Sequence, residues 1–228
     1  MGVAIGAILP LGLGVALSPI PIIAVVLMLA TARGRINGPA FIVGWVAGLS
    51  VVGVIVLVIA AGAGASGGET TVPAPWVTVV KGVLGVGLVV LAGLQWRGRP
   101  RGVETPALPA WMSSIDTFGP GKALGLAVLL SGVNPKNLLL VVAAATAIAQ
   151  TGVSAGGQAV ALAVFVVLGT LGPGLPLGIY YALGARSTDL LSRLRGWMAA
   201  HNSAIMIALL LVIGVKLVGD ALSGLLNG

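Results

Sequence analysis

Leu124-Gly125-Leu126-Ala127-Val128-Leu129-Leu130-Ser131-Gly132-Val133-Asn134-Pro135-Lys136-Asn137 joins an apolar run to a helix-breaking proline and a lone charge. Its first eight residues echo an earlier stretch, Leu11-Gly12-Leu13-Gly14-Val15-Ala16-Leu17-Ser18, with most positions identical at a constant offset. Pro19 and Pro21 follow the first copy as Pro135 follows the second. The two copies predict two related helices, each interrupted near its middle and each opening one half of the chain.

The composition says where such helices reside. Hydrophobic residues make up 58% of the 228 positions and charged ones 7%, whereas soluble domains carry about a quarter charged residues. Too little polar surface is available to cover a globule, so the chain reads as an all-α integral membrane protein. A membrane span takes about 20 mostly apolar residues. Six stretches qualify: 3–31, 39–61, 76–96, 122–149, 155–178 and 203–225. Residues 137–185 carry no charge, and the Gly-rich polar segment from Gln150 to Gln158 is the turn that divides them. The N-terminal apolar run lacks the basic start of a secretory signal and is expected to be a first span.

Charge sets the orientation. Nine of the twelve Lys and Arg residues fall in odd-numbered loops: Arg33 and Arg35, then Arg97, Arg99, Arg101 and Lys122, then Arg186, Arg193 and Arg195. By the positive-inside rule those loops are cytoplasmic and both termini extracytoplasmic. The net charge of +7 is then a topology signal, and nucleic acid is not expected as a partner. Residues 1–96 form a first three-span repeat, 97–121 a flexible cytoplasmic linker, and 122–228 a second repeat. An odd number of spans sends the second repeat into the bilayer from the opposite side. The expected architecture is therefore six transmembrane helices in two inverted-topology three-helix repeats, with helices 1 and 4 broken. Secondary transporters commonly use this construction, with the substrate at the midplane between broken helices.

The breaks carry the chemistry. Ser18-Pro19 and Asn134-Pro135 each read as an N-cap followed by proline at the first helical position. Two half-helix starts offer partial positive charge and free N–H groups, a setting for an anion. Lys136 adds a charge at the centre of span four, where charges are costly and face a cavity, a partner or a substrate. The candidate substrate-binding group is Ser18, Pro19, Pro21, Ser131, Asn134, Pro135, Lys136 and Asn137.

The acidic residues are Glu69, Glu104, Asp116, Asp189 and Asp220. Only Asp220 falls within a span, where Lys216 four residues earlier is expected to pair with it. Hard-cation carriers need oxygen ligands with carboxylates prominent, so no metal site is expected. The absence of Cys excludes disulfides and thiolate chemistry. Neither a cofactor nor an enzymatic nucleophile–base pair is visible. His201 reads as an interfacial residue and Trp45 as packing within span two. Gly44-x-x-x-Gly48 fits a close helix–helix contact or a homodimer seam. The Gly172-Pro173-Gly174-Leu175-Pro176 segment is expected to unwind the end of span five.

The Ser18-Pro19-x-Pro21 break paired with Asn134-Pro135-Lys136-Asn137 resembles the LysE superfamily of small exporters. The stretches Leu17–Met28, Arg33, Phe41–Trp45 and Ser131–Leu138 more closely resemble the GAP family, related to sulfolipid-1-addressing and peptidoglycolipid-addressing proteins. The resemblance implies a multi-pass protein of the bacterial plasma membrane that exports a substrate from the cytoplasm. Cell-envelope glycolipids are implied by the addressing proteins and amino acids by the LysE relatives. A scaffold that delivers lipid without transporting it is the third reading. Membrane lipids and a small-molecule or lipid substrate are the expected partners.

Overall fold

A computed structural model describes residues 1–62, 75–98 and 110–226. Among these the chain is helical throughout, with no strand. Arg99 and Arg101 of the expected cytoplasmic charge cluster, and Glu69 and Glu104, lie outside the described residues.

The first expected span is two helices, α1 (Gly2–Ala16) and α2 (Pro19–Leu29), bent by 51° at Leu17–Ser18. Proline lacks an N–H and its ring displaces the carbonyl four residues back. Two of them, Pro19 and Pro21, prevent α1 from continuing. The fourth expected span repeats the device. Helix α5 (Pro120–Val128) widens into a π turn at Leu129–Val133 and yields at Asn134 to α6 (Pro135–Ala149), with a bend of 61°.

Helices α3 (Gly34–Gly62) and α4 (Pro75–Arg97) complete the first half, and α7 (Ala155–Leu183) and α8 (Ser187–Leu226) the second. Three helical runs are long and apolar enough to cross a membrane, or five if each bent pair is one span. In that count α7 and α8 form one continuous run, although Gly184 between them leaves helical space at φ 54° and ψ −129°. The outer faces suit lipid: Val51, Val54, Val58, Val83, Val212 and Val215 are all exposed.

Three expectations change. Gly172–Pro176 does not unwind, and α7 continues to Leu183. The carbonyl that Pro173 leaves without its usual donor is that of Gly169, and the Trp45 indole Nε1–H donates to it at 3.2 Å. Trp45, fully buried and stacked on Phe41, is thus a repair as well as packing. Second, α8 begins at Ser187 and places Arg193 and Arg195 on a helix instead of in a loop. Its 40 residues measure about 60 Å, roughly twice the hydrocarbon core, so its basic first half extends beyond any single span. Third, residues 110–117 are not a loose tether. They form a 3₁₀ helix with Met112 and Ile115 buried against the core, and the Asn37 amide Nδ2 donates to the Phe118 carbonyl at 2.8 Å just beyond it.

The halves interlock through glycines. Gly44 and Gly48 of α3 lie against Leu124 of α5 and Ser131 of the π turn that follows it, so this spacing serves a contact within the chain. Correspondingly, Gly169 and Gly172 of α7 lie against Val15 and Ala16 of α1. In both pairs residue numbers rise together, so the helices run parallel. Leu49 opposite Gly169 and Gly53 opposite Leu162 make α3 antiparallel to α7. Gly85 and Gly214 meet with α4 antiparallel to α8. It follows that α1 is antiparallel to α5.

A side chain at Gly172 would strike the Ala16 carbonyl, and one at Gly44 the Leu124 carbonyl. Gly172→Val and Gly44→Val are each expected to destabilise the protein by about 1–3 kcal/mol, the usual cost of overpacking. Gly125→Ala, with open space around its Cβ, should be neutral or stabilising, since Ala exceeds Gly in helices by about 1 kcal/mol. Thermal unfolding of the detergent-solubilised protein checks the ranking.

Candidate functional site

The two breaks meet. At the first, Ser18 occupies the position before α2 with extended backbone (φ −90°, ψ 105°), but its side chain does not cap the helix. An N-cap oxygen accepts from the second or third N–H of the helix, and the third residue here is Pro21, which has none. The Ser18 hydroxyl instead turns back and donates to the Val15 carbonyl at 2.7 Å. That carbonyl belongs to the last turn of α1 and has no helical donor beyond it.

At the second break the expected cap does form: Asn134 Oδ1 accepts from the Lys136 backbone N–H at 3.1 Å. Asn137 Nδ2 donates to the Leu130 carbonyl at 2.8 Å, answering a group that the bend sets free. Ser131, the counterpart of Ser18, donates to the Val128 carbonyl at 3.3 Å. It is fully buried against Gly48 of α3 and stands apart from the meeting point.

Between the breaks, Lys136 Nζ donates to Ser18 Oγ at 2.6 Å, and Asn137 Oδ1 lies 3.3 Å from the same oxygen. Ser18, Lys136 and Asn137 thus form a compact polar cluster drawn from both halves. Lys136 is only 5% exposed. An ammonium offers three donors, and Ser18 Oγ is its one hydrogen-bond acceptor among the described residues. No carboxylate lies within ion-pair distance of it there; the ion pair present is Lys216 with Asp220 at 2.6 Å. Charges buried without a counter-charge cost several kcal/mol, and one hydrogen bond to a charged group returns about 1.5–3 kcal/mol. The cluster is short of acceptors and of negative charge.

The other candidate residues shape the backbone. Pro19 and Pro21 are buried at the start of α2, and Pro135 is exposed at the start of α6. They also limit what the helix starts can bind. With Pro19 and Pro21 lacking N–H groups and the Ile22 N–H donating to the Ser18 carbonyl, Ile20 supplies the one free donor of the first α2 turn. The expectation of two well-furnished helix starts therefore gives way to a site centred on the Lys136 side chain.

A second feature lies on the lipid side, where α3 and α7 leave two cavities of about 440 and 430 Å³. Both are lined by Val166. The first also takes in Ser50, Val54 and Gln158, and the second Val46, Thr170 and Leu175. Together they form an apolar groove along the seam between the halves. Sequence reasoning missed it, because it arises from the pairing of α3 with α7 and not from any local pattern.

A family model described as Sap, sulfolipid-1-addressing protein, matches residues 8–223, a span that includes both breaks and the groove. No curated protein and no solved structure gives a significant match.

Removing the Asn134 cap should cost about 0.5–2 kcal/mol, so Asn134→Ala is expected to lower the melting temperature while Asn134→Ser largely preserves it. Ser18→Ala should cost about 1–3 kcal/mol by stranding Lys136 and the Val15 carbonyl. Combining Ser18→Ala with Lys136→Met should recover much of that loss. A double-mutant cycle on thermal stability in detergent reads the coupling.

Proposed function

The chain belongs to the sulfolipid-1-addressing protein family, and on that footing we propose that it exports an anionic or zwitterionic cell-envelope lipid across the bacterial plasma membrane. The observation that carries this reading is the buried Lys136 ammonium, held by Ser18 of the opposite half and without a carboxylate partner among the described residues. A substrate headgroup bearing negative charge supplies what the cluster lacks.

The proposed architecture has six spans in two inverted repeats. Six results when each bent pair is one span and α7 and α8 are separated at Gly184. Helix directions support the inversion, because α1, α3 and α4 run antiparallel to α5, α7 and α8 respectively. Placing the basic residues around Arg33, Lys122 and Arg193 in the cytoplasm puts both termini outside. The lipid division of labour follows from polarity. The headgroup is neutralised at Lys136 between the halves, and acyl chains lie in the groove between α3 and α7, sparing them transfer into a polar interior. No bond is made or broken; the chain acts as a carrier.

The test is flux in proteoliposomes, paired with lipid analysis of a deletion strain. Lys136→Met should leave the protein folded, and no less stable, since replacing a buried charge by an apolar side chain is often neutral or stabilising. Its lipid flux is expected to fall at least tenfold, with Lys136→Arg retaining part. Wild-type flux from Lys136→Met, together with a misfolded Asn134→Ala, would make the motif structural. Loss of an envelope glycolipid from the deletion strain without reconstituted flux would indicate a delivery scaffold. Amino-acid counterflow would replace the lipid reading with a LysE-like exporter.

A further inference from the structure

We propose that the protein holds a second anion-binding station, formed by Lys81 and Lys216 around a cavity between α1, α4, α6 and α8, which receives a substrate headgroup after Lys136. The cavity measures about 210 Å³ and is lined by Lys81 of α4, Lys216 and Asp220 of α8, and Gln150 at the end of α6. Drug-sized ligands occupy about 300–1,000 Å³, so this space suits a headgroup and not a whole lipid.

Its charge is uneven. Among the described residues two ammonium groups face one carboxylate, and Lys216 is the one joined to Asp220, at 2.6 Å. Lys81 is within electrostatic reach of both and has no hydrogen-bond partner among the described residues. A further donor lies beside them: Gln150 lines the cavity, and its buried Nε2 has no hydrogen-bond partner among the described residues. An excess of one positive charge and an unused amide donor, around a cavity of headgroup size, match a singly charged oxyanion such as a sulfate ester, phosphodiester or carboxylate.

The position gives the station its place in the path. Leu11 of α1 and Ala143 of α6 also line the cavity, each seven residues along its helix from the Ser18–Lys136 cluster. At 1.5 Å per residue the cavity begins about 10 Å from Lys136, toward the end of the protein that holds the N-terminus. Two fixed cations at that spacing provide successive stops for one anion, and Asp220 competes with the ligand for Lys216, which eases release. The role in export rests on the transport reading above, whereas the binding does not require it.

Native mass spectrometry of the full-length protein released from phosphatidylcholine nanodiscs, containing either sulfatide or uncharged galactosylceramide, tests the station. Wild type is expected to retain sulfatide in preference. K81Q/K216Q should lower that preference at least fivefold, K81R/K216R should keep it, and D220N should raise it by removing the competing carboxylate. Each change is also placed in a Lys136→Met background, which removes the first site's contribution to retention. Sulfatide retention that is unchanged in K81Q/K216Q, or weakened in D220N, overturns the proposal even where Lys136-dependent flux persists. Charge-sensitive retention without any flux supports the station and counts against the transport reading alone. Displacement of sulfatide by excess inorganic sulfate would identify a free oxyanion as the ligand; resistance to it would identify a lipid headgroup.

Discussion

A helix that breaks inside a membrane must find partners for the backbone groups it frees, because hydrocarbon offers none. Several polar side chains in the interior of this protein answer that demand. Ser18 serves the Val15 carbonyl, Asn137 the Leu130 carbonyl and Asn134 the Lys136 N–H. Trp45 serves the Gly169 carbonyl that Pro173 leaves open. The breaks at Ser18 and Asn134 are therefore stable features, and the polar cluster between them is assembled from side chains already needed for backbone repair. Lys136 is the exception. Among the described residues no backbone group bonds to its ammonium, and its one acceptor is a hydroxyl already engaged elsewhere.

This distinction explains what could be read from the chain alone. The broken first and fourth spans were legible because proline acts locally, on the residue before it and the carbonyl four back. The short Gly152 turn and the Lys216–Asp220 pair were legible for the same reason. The failures involve partners far away in sequence. Pro173 looked like a helix terminus because nothing near it advertises an indole arriving from Trp45. The start of α8 was placed too late because Arg193 and Arg195 suggest a loop, although charges on a helix that has left the bilayer cost little. The absent Ser18 cap was readable in principle, since Pro21 removes one of the two N–H groups that a cap addresses.

The candidate cluster was legible as a list but not as a geometry. Ser18 and Asn137 are 119 residues apart, and only the pairing of the halves makes them neighbours. The halves also differ in chemistry while sharing a pattern of packing. Ser131 still mirrors Ser18 in bonding to the carbonyl three residues back, yet it is sealed against Gly48 while Ser18 receives a cation. A framework of similarly packed helices thus presents unlike groups at its centre.

Helix α8 has a mechanical meaning as well as a topological one. It runs alongside α4 from Gly224, opposite Thr78, to Gly214, opposite Gly85, with glycines letting the two backbones approach. From Gly214 about 40 Å of helix runs back to Ser187 and about 18 Å forward to Leu226. Its basic part is held too, with Leu191 and Met198 buried, so α8 is a brace fixed along most of its length. A shift of Lys216 and Asp220 along the helix axis is thereby carried to the basic end around Arg193, about 35 Å from Lys216.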